Sequence, residues 1–542
     1  MIGRQKACTR AYTFCAMNRC QQTEFVEFYL PFGGKLSAEN RWVKLAALVP
    51  WDMVEERYAG AMTDSGMGAP PLPGRVAFGA LIIKERLGIT DEETVEQIFE
   101  NPYLQSFLGY RELLRQLPFD PSMMVHFRSR LAQDDFDAIN ARLIATVAPA
   151  QKGADRGKAE LSEAADGSPV PDGNQATEQS VAGPAPKEPI PSGKLLMDAT
   201  VTPADITYPT DLKLLNETRE KLEHVIDELH RSMPAPVPKP RTYREKARRD
   251  IVAIAKQKRP GTRKIRKAIG QQLRYIRRDI GHIEKQVQAG ARLASLKAYD
   301  YRCLLVAHEI YRQQEEMWRE KKHRIEHRIV SLSQPWVRPI VRGKASAKVE
   351  FGAKISVSVS GGYASLHRLS WEAYNEGGDL VGQVESYRER HGHYPESVHA
   401  DKIYRTRANR QWCQQRGIRL SGPPLGRPRR ATEENAAELA AARAQARQDE
   451  RDRIPVEGKF GNAKRGGTLA RVMARLMRTS VSVINIGLIV LNLNTRLRKE
   501  FLALLKRLVR ASRLLLAVAN PPCWHSELTP SSYAPCPATP SA

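Results

Sequence analysis

At 542 residues and 42% apolar composition, the chain is long enough for two or more cores and too apolar to be disordered throughout. Its 85 Lys+Arg against 60 Asp+Glu give a net charge of +25, which favours an anionic partner such as nucleic acid or an anionic membrane face. Seven scattered cysteines, with no CxxC pair and no Cys/His ligand spacing, support neither a zinc site nor a disulfide framework.

The positive charge is local. Residues Arg241–Ile280 hold 15 basic and 3 acidic residues, and Tyr404–Ala431 holds 8 arginines and no acid. Lys464–Arg513 holds 12 basic residues against Glu500. Solubilising surfaces mix signs, whereas segregated signs are expected where phosphates are met at particular places. The longest apolar runs, Val481–Leu493 and Leu514–Val518, read as too short to span a bilayer, and the N-terminus carries no signal-peptide core. The expectation is a cytoplasmic, nucleoid-associated protein without membrane contact. Residues 1–16 show no periodicity, so Met17 is expected to be the natural start.

In chain order, residues 25–148 predict an all-helical N-terminal domain. Asn40 offers a cap before Trp42 and Leu45, Pro73 opens a run that Gly88 closes, and Thr90–Glu93 forms a capping box. A last helix follows Asp120-Pro121-Ser122 and carries Arg128 and Arg130. Short helices with tight turns suit a helix-turn-helix DNA reader. Residues 149–193 are rich in Pro, Gly, Ala, Ser and acids and predict a flexible linker.

A buried strand is predicted at Lys194–Val201, with Asp198 in its middle. From 211 to 332 apolar residues recur at three, four and seven, predicting an antiparallel helical insertion with a basic exposed side. Strands return at Lys348–Val359 and Ala364–Leu369, joined across Gly361-Gly362 as a hairpin. A helix at Asp379–Arg390, a strand ending Ser397–Asp401, a helix at Thr406–Arg416 and a strand at Ile418–Ser421 follow. Arg451 onward predicts helix to about Arg513, broken by glycines near 466. Residues 501–542 read as a basic helix and a disordered tail from Pro521.

Three acids stand where strand and helix ends would converge: Asp198 within a strand, Asp401 closing another, and Glu457 at the start of a helical stretch. Phosphodiester chemistry suits carboxylates, because Mg²⁺ (or Mn²⁺) takes oxygen ligands and two such ions can activate the attacking oxygen and stabilise the leaving one. An ionised carboxylate within an apolar strand is costly unless paired or metal-bound, which singles out Asp198. Spacing alone does not single out Asp401 or Glu457 among 60 acids. His399, two before Asp401, reads as a neighbour rather than a ligand. The paired glycines read as turns, since no P-loop lysine follows them.

The stretch LLMDATVTPADITYPTDLKLLNE resembles the first catalytic strand of bacterial insertion-sequence DDE transposases of the IS-five and IS-four type, and SVHADKIY resembles their second acidic motif. Arg453, Glu457 and Lys464 stand at the spacing of that group's Tyr, Arg, Glu and Lys signature, while the tyrosine position holds Glu450. Phe127, Arg128 and Leu131 look like its amino-terminal domain. The resemblance implies a mixed α/β fold: a ribonuclease-H-like catalytic domain over 194–500, five-stranded and interrupted by the helical insertion, preceded by the all-α domain. It implies that Asp198, Asp401 and Glu457 are catalytic and hold two Mg²⁺ or Mn²⁺ ions. It also implies that Arg453, Lys464, Arg128 and Arg130 contact DNA. The partners it implies are transposon ends, with their terminal inverted repeats, and target DNA, met by a homodimer or higher multimer. The competing expectation is a catalytically decayed, transposase-derived DNA-binding protein.

Overall fold

The computed structural model describes residues 30, 34–62, 71–145, 190–233, 238–341, 349–423, 426, 432–433, 435–465 and 467–519. Met17, nearly all of the expected linker and the tail from Pro521 lie outside the described residues. Contacts divide the chain into two units, Met1–Leu493 and Asn494–Ala542.

In the first unit the regular elements up to Ala145 are helices: α1 (Arg41–Leu48), α2 (Trp51–Gly60), α3 (Gly74–Leu87), α4 (Asp91–Glu100), α5 (Pro102–Phe107), α6 (Met123–Arg130) and α7 (Gln133–Ala145). Their ends follow local chemistry. Asn40 accepts the Trp42 amide, Thr90 accepts the Glu93 amide, and Gly88 closes α3 in the left-handed region at φ 69°. Trp42 and Trp51 each meet Phe107 edge to face, with ring centroids 5.3 Å apart. Helix α7 was not anticipated from sequence. It buries Phe136, Ile139 and Leu143, and its Asn140 donates to the Ala364 carbonyl and accepts from Asn492. Through such bonds the helical block packs directly on the sheet that follows.

That sheet has six strands: β1 (Lys194–Pro203), β2 (Arg338–Val341), β3 (Val349–Ser360), β4 (Tyr363–Ser370), β5 (Ser397–His399) and β6 (Arg419–Leu420). β1 runs antiparallel to β3 and parallel to β5, and β5 runs parallel to β6. Gly352 pairs with both Pro203 and Arg338, so β1 and β2 flank β3 on opposite sides. β4 takes the rest of the edge that β2 leaves. Five strands were expected; the sixth is the four-residue β2. The β3–β4 hairpin turns through Gly361 and Gly362 at φ 55° and 85°, values that a two-residue turn of this hand demands.

Between β1 and β2 lies the insertion, α8 (Asp211–Arg231), α9 (Arg244–Ala255), α10 (Thr262–Gln288) and α11 (Ala298–Glu320). Its own core joins Leu215, Leu222 and Ile226 to Ile276, Ile283 and Ile310. The remaining helices are α12 (Leu380–His391), α13 (Arg407–Gln415), α14 (Ala436–Arg465) and α15 (Met477–Ala519). Alternation along β1 sends Leu195 and Met197 toward α12, and Leu196 toward Val456, Ile484 and Leu488 of α14 and α15.

Two expectations change here. The helix expected from Arg451 begins at Ala436, because the Ala-rich stretch before it is a strong helix former. Glu457 therefore sits late in α14, not at its start. The apolar runs expected to be too short for a bilayer belong to one helix. Its Met477–Ser512 stretch is long and apolar enough to cross a membrane by length and composition, with 61% of the tested window buried inside the protein. Core packing of Ile484, Leu488 and Leu493 accounts for that apolarity within the first unit. The described part of the second unit continues α15 as a basic helix with exposed Phe501, Leu505 and Leu508.

Candidate active site

Parallel pairing sets Leu195 opposite Val398 and Leu196 opposite His399. Two residues further along the same register, Asp198 and Asp401 come level on neighbouring chains. Asp401 no longer belongs to β5; it caps the turn Lys402–Tyr404, its side chain accepting the Lys402 amide at 2.7 Å. Asp198 stays within β1 and accepts the Ala199 amide at 2.8 Å.

Helix α14 lies across these strands because its inward positions recur at helical spacing. Asp449 takes both oxygens to Arg419 at 2.8 Å, Asp452 meets Lys194 at 2.7 Å, and Val456 and Ala463 are buried. The adjoining stripe carries Arg453 and Glu457. The Arg453 guanidinium lies 2.9 Å from Glu457 Oε1 and 4.0 Å from Asp401 Oδ1. Arg453 thus ties Asp401 to Glu457, and its charge and that of Asp401 also reach Asp198. Asp401 and Glu457 are each 56% exposed, open to a large substrate, while Asp198 is half-buried.

Burial pushes the Asp198 carboxyl up to about 6. The Ala199 amide and Arg453 oppose the shift, and the charges of Glu376 and Asp401 add to it. Glu376 escaped sequence reading. It opens the turn Glu376–Asp379 in a Gly-rich stretch that looks like plain loop, and it stands 3.5 Å from Lys354. Asn409 holds that turn in place, donating to the carbonyls of Gly377 and Tyr404. A carboxylate disfavoured by burial and faced by two further acids is a group that a cation would stabilise. The donor set of Asp198, Asp401 and Glu457 is entirely oxygen, the kind that Mg²⁺ or Mn²⁺ takes, but among the described residues their oxygens do not come within 4.8 Å of one another as ligands of a single ion would.

This shift has a measurable sign. Asp198 ionises near 3.8 in the unfolded chain and near 6 when folded, so ionisation opposes folding. Its contribution to stability falls as pH rises from about 4 to 6 and stays low above that. In EDTA, D198N should melt above the wild type at pH 8, and the difference should close by about pH 4. An equal difference at both pH values would remove the electrostatic account of Asp198.

A second group joins β5 to the same helix. Atoms of His399, Asp449 and Asp452 fall within 4.8 Å of one another and could hold an ion. His399 is fully buried, and burial lowers its pKa, leaving a neutral imidazole. Both carboxylates are already neutralised, however, by Arg419 and Lys194. An ion would have to displace two cations, so we read this group as the lock that sets α14 on β1, β5 and β6.

The expected DNA-contacting residues scatter. Arg453 is engaged by the acids. Lys464 lies in the last turn of α14, and Glu450, at the tyrosine position, is exposed on the same helix. Arg128 is corrected outright: it is 7% exposed and grips both oxygens of Asp91, because α6 turns Met124, Phe127 and Arg128 inward. Arg130 bonds the Tyr58 hydroxyl and lies 5.3 Å over its ring. Both arginines hold the helical block together.

The chain matches a family model described as "Transposase DDE domain" over residues 398–494, and one described as "Transposase domain (DUF772)" over residues 31–130. Within those two spans the chain is similar to domains of DDE-type transposases. The first match includes Asp401 and Glu457; Asp198 lies outside both matched spans. A curated relative, "Uncharacterized protein ORF8 in nfe locus" from Rhizobium meliloti, is 31% identical over 97 residues, or 18% of this chain. The chain covers 46% of that relative's length. No solved structure matches.

Proposed function

We propose that the chain is an insertion-sequence transposase of the IS-five or IS-four type, which cuts and joins DNA strands at the terminal inverted repeats of its element. The observation that supports the reading is the placing of Arg453 on α14 against Asp401 and Glu457, with Asp198 of β1 close enough to feel the charges of Arg453 and Asp401. A ribonuclease-H-like fold is supported by the strand directions: β4, β3 and β1 antiparallel in turn, then β5 and β6 parallel to β1, with the insertion after β1.

Divalent ions, two in the reading we favour, would activate the attacking oxygen and stabilise the leaving one when held by the three acids. The chain's own residues set the geometry. Arg453 fixes the Glu457 side chain through an i,i+4 ion pair and offsets the repulsion between Glu457 and Asp401. Lys464, two turns beyond Glu457, would meet a phosphate of the DNA end. The N-terminal helices would read the end, and two or more copies would pair two ends, in the cytoplasm at the nucleoid.

The test is nicking of a duplex carrying the element's end by the full chain in Mg²⁺. Metal-dependent cleavage is expected. DNA binding with no cleavage in Mg²⁺ or Mn²⁺ would instead favour a decayed DNA-binding protein, the alternative that Glu450 at the tyrosine position keeps in view.

A further inference from the structure

We propose that helices α9 and α10 of the insertion form a separate binding surface for the phosphates of duplex DNA, an inference that rests on the DNA-processing reading above. The two helices pack side by side. The Tyr275 hydroxyl bonds Asp250 at 3.1 Å, and the guanidiniums of Arg241 and Arg278 stand 4.8 and 4.7 Å from the ring of Tyr243. Tyr243 is held in the left-handed region at φ 58°, a backbone setting that non-glycine residues seldom take. Two planar cations stacked on one ring are fixed in orientation while keeping N–H edges for phosphate oxygens.

Around that stack the exposed surface is almost purely cationic. Arg249, Lys258, Arg259, Lys264, Lys267 and Arg274 are exposed, and none has an ion-pair partner among the described residues. Of the three acids in this stretch, Asp279 is fully buried and Asp250 is taken by Tyr275. Only Glu245 is exposed. The neighbouring helices differ. Arg312 of α11 is paired with Glu309 and Glu316, and Arg231 of α8 with Glu228. Some surface cations of the neighbouring helices are thus paired with acids on their own helix, whereas these six have no such partner among the described residues.

Geometry selects a stiff polyanion over a flexible acidic segment. At about 1.5 Å per helical residue, the cations from Arg263 to Arg278 span roughly 22 Å, the length of about six base pairs. The apolar side of α10, Leu273, Ile276, Ile280 and Ile283, is packed into the insertion core. That anchors the row, so little ordering cost remains on binding.

Fluorescence anisotropy of the full chain on a 30-base-pair duplex of arbitrary sequence, in 50 to 200 mM KCl, tests this. R241Q/R278Q and K258Q/R259Q/K264Q change only exposed side chains, and melting curves check that each folds. The triple variant should bind roughly ten- to a hundredfold more weakly at about 0.1 M salt, with a shallower slope of affinity on salt. R241Q/R278Q should weaken binding, and R241K/R278K should restore the slope but only part of the affinity. K506Q/R507Q/R510Q, equal in charge change on α15, should do less than the triple variant. Unchanged affinity and slope in both α9–α10 variants would overturn the inference and leave the transposase reading standing. Equal losses in the α15 control would reduce the surface to net charge and also overturn it. A wild type that binds no duplex even at 50 mM KCl would overturn both readings.

Discussion

D198A, D401A and E457A should each lower cleavage of a transposon end by roughly a thousandfold or more, because losing one metal oxygen removes several kcal/mol of transition-state stabilisation. DNA affinity should hold or rise slightly, since each change deletes a negative charge and no phosphate contact. The two exposed acids, Asp401 and Glu457, should show the rise more than half-buried Asp198. R453A should behave differently. It frees Glu457 and Asp401 from their shared cation, loosening the site without removing a ligand, and should lower activity less completely. Single-turnover nicking and anisotropy on the same duplex separate the two effects. Wild-type cleavage by any acid variant would remove that residue from the triad.

G352A should cost about 3 kcal/mol of stability, the upper range for forcing added volume into packed structure. A methyl built at Gly352 would lie 2.0 Å from the Thr202 carbonyl oxygen, 2.8 Å from Pro203 Cα and 2.9 Å from the Ala204 nitrogen. All three are backbone atoms, so no side chain can swing aside, and β3 must part from β1. Since β1 carries Asp198, the residual folded enzyme should also cut poorly. G281A provides the contrast. Nothing lies within 4 Å of a methyl there, and an interior helical glycine is replaced, so a gain of about 1 kcal/mol is expected. Urea unfolding of the three proteins reads both values; a neutral G352A would mean the β1–β3 pairing is looser than described.

Much of the scaffold was legible because local chemistry and tertiary packing agree. Thr90 and Gly88 end helices where capping rules put them, and Gly361-Gly362 admit the positive φ that the tight β3–β4 turn takes. The period-seven leucines of α8 do face α10. Arg128 could not be read, because a basic residue on a short helix looks the same whether it meets DNA or Asp91; only the fold brings Asp91, 37 residues away, to it. Glu376 was hidden for the same reason: its neighbour Lys354 lies on β3, a separate element. The start of α14 was placed at Arg451 because the Ala-rich stretch before it has no clear apolar face; the helix runs on through Pro455, and the Arg419 and Lys194 ion pairs hold it in place. Of the acids, Asp198 was marked by its apolar strand, while only the fold shows that Asp401 lies beside it and that Arg453 of α14 links Asp401 to Glu457.

The central claim is that Asp198, Asp401 and Glu457, and not the neighbouring His399 group, hold the divalent ion. Mn²⁺ titration followed by electron paramagnetic resonance, on the metal-free full chain with a DNA end bound, addresses it directly. Binding should be weakened at least about tenfold in D198A, D401A and E457A, and should persist in H399A and D449A wherever those variants remain folded by circular dichroism. Wild-type Mn²⁺ affinity in all three acid variants, with loss in folded H399A, would contradict the account and move the metal to the His399, Asp449 and Asp452 group.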